Sequence, residues 1–278
     1  MTDYIILGDN VSQVAALIFA VVMVVRWLRN KGNSVVLGFL LYALVCLLIS
    51  DIYWNAMSYL KPDLRIPFAA SEIADIGTVL FLAAMLSEIY QDYRVKIGWE
   101  TVCAAVHGAV SICLWTAWAG EWFKNVVGGI PYVYYLFVVV WSSKKIQPFR
   151  RYQKILIGIG IFALDIIQII GLVSSEKITD LMNYISYGTI IFGIILLMIK
   201  LIHMLRRAYR ERSYEWSRKT LAAALVTLVW VQNGMYMSYD PFYSIEDIGF
   251  TFTVLIIVCA VFCVHETARN TEKDWGMA

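Results

Sequence analysis

Charge is scarce in this 278-residue sequence: Asp, Glu, Lys and Arg together make up 16% of it, and histidine occurs three times. Soluble domains carry about 25% charged and about 45–50% apolar residues, whereas here 60% are hydrophobic and mean hydropathy is +0.67. The net charge of +2 by itself says nothing about nucleic acid, and no nucleic-acid partner is expected. There is no C-x-x-C pair, and His107, His203 and His265 are too scattered to build a zinc pattern, so no metal is expected. Cys46, Cys103, Cys113, Cys259 and Cys263 all fall inside apolar blocks and read as small buried hydrophobes. Phosphate loops of the G-x-x-x-x-G-K-[ST] and G-x-G-x-x-G types are absent, as are H-E-x-x-H and G-x-S-x-G. No cofactor and no enzymatic activity are expected. A retinal-type Schiff base is also disfavoured, because the last apolar block has no Lys and Lys200 stands at a helix end. MTDYIILGDN has no basic n-region, Thr2 stands where myristoylation needs a glycine, and no C-terminal CaaX is present. The first apolar block is therefore expected to be an uncleaved anchor.

What is present is a succession of apolar blocks. A spanning helix needs about 20 largely apolar residues. Nine such segments are expected, over roughly 9–27, 35–59, 66–88, 99–119, 125–141, 155–174, 181–203, 220–237 and 246–265. The fifth is short and contains Gly128, Gly129 and Pro131, the one sign of a broken helix; the eighth is short and ends in Gln232-Asn233-Gly234. The expected fold is an all-α bundle of about nine transmembrane helices, forming a single transmembrane helical domain over 1–278 without a soluble domain. The tail after His265 is too short for an output or catalytic domain.

Basic residues orient it. With the N-terminus outside, the inner segments hold Arg26, Arg29 and Lys31, then Arg94 and Lys96, then Lys144, Lys145, Arg150, Arg151 and Lys154, then the Arg206–Lys219 cluster, then Arg269 and Lys273. The outer segments hold Lys61, Arg65, Lys124 and Lys177. This asymmetry predicts an outside N-terminus and a cytoplasmic C-terminus in the plasma membrane. The two longest inner loops, SSKKIQPFRRYQK (142–154) and RRAYRERSYEWSRK (206–219), are candidates to contact anionic headgroups or a cytoplasmic partner. The second reads as a helical extension with a basic face. Acidic residues crowd the outer half, among them Asp51, Glu72, Asp75, Asp240 and Asp247, and a negative mouth attracts cations.

A hairpin repeat is suggested between 51–78 and 231–251. Asn55-Ala-Met-Ser-Tyr59, Pro67-Phe68 and Asp75-Ile-Gly77 echo Asn233-Gly-Met-Tyr-Met-Ser-Tyr239, Pro241-Phe242 and Asp247-Ile-Gly249. Both hairpins face outward, so this is not the inverted repeat common in transporters.

Polar residues at helical spacing inside apolar blocks mark the candidate site. Asp51 and Asn55 share one face with Ser58, and Asp75 shares one with Ser71 and Thr78, with Glu72 a turn before it. Asp165 and Gln168 form a similar pair in the sixth block; Asn233 and Asp247 belong to the last two. Groups of this kind do not face lipid cheaply, so they are expected to converge on a bundle interior or an outward-opening cavity. The intramembrane carboxylates are either protonated, wetted or bound to a cation. Aromatic residues crowd the outer level. Interfacial belts account for most of them, but Trp54, Trp115, Trp118 and Tyr187 beside carboxylates also suit an organic cation. The sequence thus predicts a non-enzymatic sensor or receptor module in a lipid bilayer, taking a small polar or cationic ligand from outside. A proton- or cation-coupled secondary transporter using Asp51, Asp75 and Asp165 is the alternative.

Overall fold

A computed structural model describes residues 2–31, 34–60, 69–90, 98–119, 122–173, 176–235 and 243–275. Among the described residues there are nine helices and no strand. They are α1 (Thr2–Lys31), α2 (Val35–Leu60), α3 (Ala70–Ile89), α4 (Trp99–Ala119), α5 (Trp122–Ile146), α6 (Arg151–Val173), α7 (Glu176–Glu211), α8 (Tyr214–Met235) and α9 (Tyr243–Trp275). Each expected segment is thus a helix. All but α8 are long and apolar enough to cross a membrane, and the chain is a multi-pass membrane protein. At 1.5 Å per residue, the 36 residues of α7 extend about 54 Å, well beyond a hydrocarbon core of about 30 Å. Part of its surplus is the basic stretch Arg206–Glu211, so the 206–219 segment is helical at both ends, interrupted at Arg212–Ser213.

The chain divides into two compact units, 1–141 and 142–278. In the first, α2 lies against both α1 and α3. Leu17, Ala20 and Val24 give α1 one buried stripe, and Leu37, Leu40, Ala43, Leu44 and Leu47 line α2. In lipid, apolar side chains gain nothing by leaving water, so helices associate through close fit and through polar bonds between them. The α2–α3 contact has both. A Cβ on Gly77 would stand 2.8 Å from Cys46 Sγ, so a side chain there would hold the helices apart. Thr78 Oγ1 donates to the Ala74 carbonyl at 3.1 Å and lies 3.4 Å from that of Ala43 across the contact.

The expected fifth helix is continuous: α5 runs through Gly128, Gly129 and Pro131 to Ile146. Proline lacks one amide donor, but the helix continues and its aromatic face meets α4.

In the second unit, α8 lies against α7 and α9, with α6 beside α7. Leu221, Ala222, Ala223, Ala224 and Leu225 are all fully buried, so α8 is covered on every side around its middle. Its weaker apolarity follows from that position: neighbouring helices, not lipid, surround it, and Thr220 and Thr227 return their hydroxyls to the carbonyls of Trp216 and Ala223. Trp230 lies against Gly160 of α6 and Gly193 of α7, where a Cβ at either glycine would overlap the indole. Its Nε1 faces the Ile190 carbonyl at 3.5 Å. Two tight turns close the same end of this unit. Gln147 (φ 51°) follows α5 and Arg212 (φ 46°) follows α7, both left-handed at the position after a helix where glycine is usual; a side chain there costs about 1 kcal/mol.

Candidate functional site

Asp51 stands in the last third of α2, half-buried, one turn before Asn55. The Asn55 amide folds back, Nδ2 donating to the Asp51 carbonyl at 2.9 Å. That leaves two buried acceptors a turn apart, Asp51 Oδ2 and Asn55 Oδ1, with no hydrogen-bond donor among the described residues. Asp75 of α3 is close enough for its charge to act on Asp51. Ser50, buried in the α2–α3 contact, hydrogen-bonds the Asp75 carboxylate, and Glu72 adds a further negative charge from the preceding turn. The small side chains that bring α2 and α3 together therefore also bring two carboxylates together. Two like charges at close range repel, and each buried unmade bond carries a desolvation penalty of about 1–3 kcal/mol, more for a charged group. A donor-bearing cation relieves both.

Asn55 also lines a shallow groove of about 220 Å³ between α1 and α2, with Asn10, Val11, Val14, Ile52 and Tyr59. Glu72 plays a different part. Its Oε2 accepts the Ala69 amide at 2.9 Å, satisfying a donor at the start of α3, and its charge lies at the positive end of the helix dipole. Trp54 is exposed on α2.

His107 is buried in α4, with Nε2 3.4 Å from the Tyr132 hydroxyl of α5. Trp115 packs on the same tyrosine, ring centroids 5.2 Å apart. This is the packed histidine that its isolation in the sequence suggests, and Trp115 is part of that ring cluster.

The second unit has a separate polar group. Asp165 is 2% exposed on α6, one turn before Gln168. Gln168 Nε2 donates to Asn233 Oδ1 of α8 at 3.3 Å. Among the described residues, Asn233 Nδ2 and Gln232 Oε1 are buried without a hydrogen-bond partner. Tyr187 is buried on α7. The side chains of Trp118 and Asp247 lie outside the described residues, as do the turns 61–68 and 236–242 of the two suggested repeats. Among the described residues no three His, Cys, Asp or Glu side chains gather as metal ligands.

Sequence reasoning missed Ser50 and Asn10. Ser50 sits beside Asp51 in sequence but faces the opposing helix, and only the crossing of α2 and α3 reveals its carboxylate partner. It also missed a concavity of about 770 Å³ in the second unit, lined by residues 147–150, the starts of α6 and α8 and the second half of α7. On its rim Lys219 bonds Glu215 at 2.5 Å and holds that exposed carboxyl below the ordinary carboxylate range.

No protein-family model, curated protein or solved structure matches this chain.

Proposed function

We propose that this multi-pass protein is a non-enzymatic sensor or receptor of the plasma membrane that takes a small cationic or polar ligand at the α2–α3 carboxylate pair, from the outer side. The observation carrying this reading is the pair of donor-less acceptors, Asp51 Oδ2 and Asn55 Oδ1, beside the Asp75 carboxylate. An ammonium or amidinium group supplies donors to both atoms and cancels the repulsion in one step. The Asn10–Tyr59 groove next to Asn55 offers an apolar wall for the rest of such a ligand. The continuity of α5 favours sensing over transport, since transporter sites are typically built on interrupted helices.

Asp165 supports a second reading, a proton- or cation-coupled secondary transporter, because a deeply buried intramembrane acid commonly marks an ion path. One experiment separates the two. Purified protein is screened with a panel of organic cations by thermal unfolding, and the hits are followed as flux in proteoliposomes. The sensor reading expects saturable stabilisation, lost in Asp51→Asn and Asp75→Asn, with no flux. Flux abolished by Asp165→Asn establishes transport instead. Identical behaviour of all three variants and wild type across the panel removes the outer-pocket reading.

A further inference from the structure

A concavity of the second unit lies at its basic end and belongs to none of the groups above. Five cationic or ionisable nitrogen side chains line it, Arg150, Lys200, His203, Arg207 and Lys219, and no carboxylate is among the lining residues. Its volume of about 770 Å³ lies within the range of small-molecule sites, about 300–1,000 Å³.

The charges are held there by specific contacts. Gln153 Oε1 accepts both the Arg150 amide at 3.0 Å and the Lys200 ammonium at 2.6 Å, tying the start of α6 to the middle of α7. Arg150 is near enough to Lys200 for their like charges to oppose each other. The Lys200 ammonium also stands 4.6 Å from the centroid of the buried Phe149 ring. Across the concavity, Trp216 carries two cations on its ring, the Arg207 guanidinium at 4.0 Å and the Lys219 ammonium at 4.9 Å. Arg207 and Lys219 each keep one carboxylate four residues away on their own helix, Glu211 and Glu215. Lys200 is bound to a neutral amide and an aromatic face, so its charge is not cancelled by either contact. Holding Arg150 and Lys200 together is unfavourable by itself, and an anion between them reverses the sign. Below this ring of charge the lining continues as Leu196 and Ile199, both exposed on the membrane-spanning part of α7. Charge above and apolar surface below is the profile of an amphiphile.

We propose that this concavity is a binding site for a phosphate group, held by Arg150, Lys200 and His203 with Arg207 and Lys219 at the rim. Two sources carry that chemistry, a phospholipid headgroup whose acyl chain runs along Leu196 and Ile199, and a free phosphorylated solute. A pocket of basic residues between membrane helices at the end of the bundle is a setting in which anionic headgroups bind. General attraction of basic loops to an anionic surface differs in one respect: it does not depend on which lysines are removed.

The test uses the full chain in neutral detergent, titrated with dioctanoyl phosphatidic acid, dioctanoyl phosphatidylcholine and inorganic pyrophosphate, and read by thermal unfolding. Saturable stabilisation by phosphatidic acid is expected. Arg150→Gln with Lys200→Gln should raise the half-saturating concentration at least tenfold, and Lys144→Gln with Lys145→Gln, outside the lining, should leave it unchanged. Stabilisation by phosphatidic acid alone assigns a lipid headgroup; equal stabilisation by pyrophosphate assigns a free phosphate. Lysine acylation footprinting of the wild-type chain gives a readout independent of variant folding. Bound phosphatidic acid or pyrophosphate should protect Lys200 and Lys219 and leave Lys144 and Lys145 reactive. Equal losses in the two double variants, equal protection of all four lysines, or no saturable effect from either phosphate probe overturns the proposal.

Discussion

At the scale of single residues, carboxylates that look alike in the sequence have different surroundings. Asp51 lies half-buried with an acceptor that meets no donor among the described residues, Asp165 is almost fully enclosed, and Glu72 caps a helix. This last assignment makes a sharp prediction. Glu72→Gln keeps an acceptor for the Ala69 amide but removes the charge at the helix start and near Asp75, so it should cost about 0.3–1 kcal/mol of stability and weaken cation binding only slightly. Glu72→Ala, which also loses the acceptor, should cost about 0.5–2 kcal/mol of stability, seen as a larger fall in Tm, with the same slight loss of cation affinity. A drop in affinity for Glu72→Gln as large as that for Asp75→Asn in the cation-panel assay would instead make it a ligand group. Spacing alone could not separate these roles, since a separation of three positions puts Glu72 and Asp75 on adjoining faces of one turn. The backbone start at Ala69 decided it.

At the scale of elements, closeness of approach does the organising. Gly77 lets α3 reach Cys46 of α2, and Gly160 with Gly193 makes the slot that accepts Trp230 of α8. Overpacking a fitted contact costs about 1–3 kcal/mol. Gly77→Ala should therefore destabilise the chain by that order and weaken cation binding, because Asp51 and Asp75 sit on the helices it spreads. Removing the obstructing sulfur should restore much of the loss: in a double-mutant cycle, Cys46→Ala should be less harmful in the Gly77→Ala background than alone. Additive effects in thermal unfolding would show that the two positions do not meet. Trp230 illustrates what helical pattern leaves out. Its sequence context suits an interfacial belt residue, yet it is buried, because the complementary glycines come from two other helices distant in sequence.

At the scale of the whole molecule, eight of the nine described helices have the apolarity for a membrane span, and α8 is sheathed by its neighbours. Nine crossings put the two termini on opposite faces of the membrane, whereas eight put them on the same face. The basic-residue asymmetry and the placement of α8 alongside α7 and α9 support nine. Impermeant labelling of a single cysteine introduced at position 2 or at position 277, in a cysteine-free background in intact cells, should modify the first and spare the second. Modification of both, or of neither, would mean an even number of crossings.

The membrane class, the number and approximate limits of the helices, and the residues too polar for lipid were all determined by the sequence itself. Each follows from local quantities: the length of an apolar run, the charge of a loop, a spacing of three or four along a helix. The tertiary structure decided which polar groups meet. Ser50 with Asp75, Gln168 with Asn233, and Lys200 with Gln153 are pairings between helices, and α5 stays whole despite its glycines and proline. Helices in lipid are sorted by shape, through small residues that permit contact and bulky ones that fill it, and shape complementarity belongs to pairs of surfaces. No single run of sequence contains it.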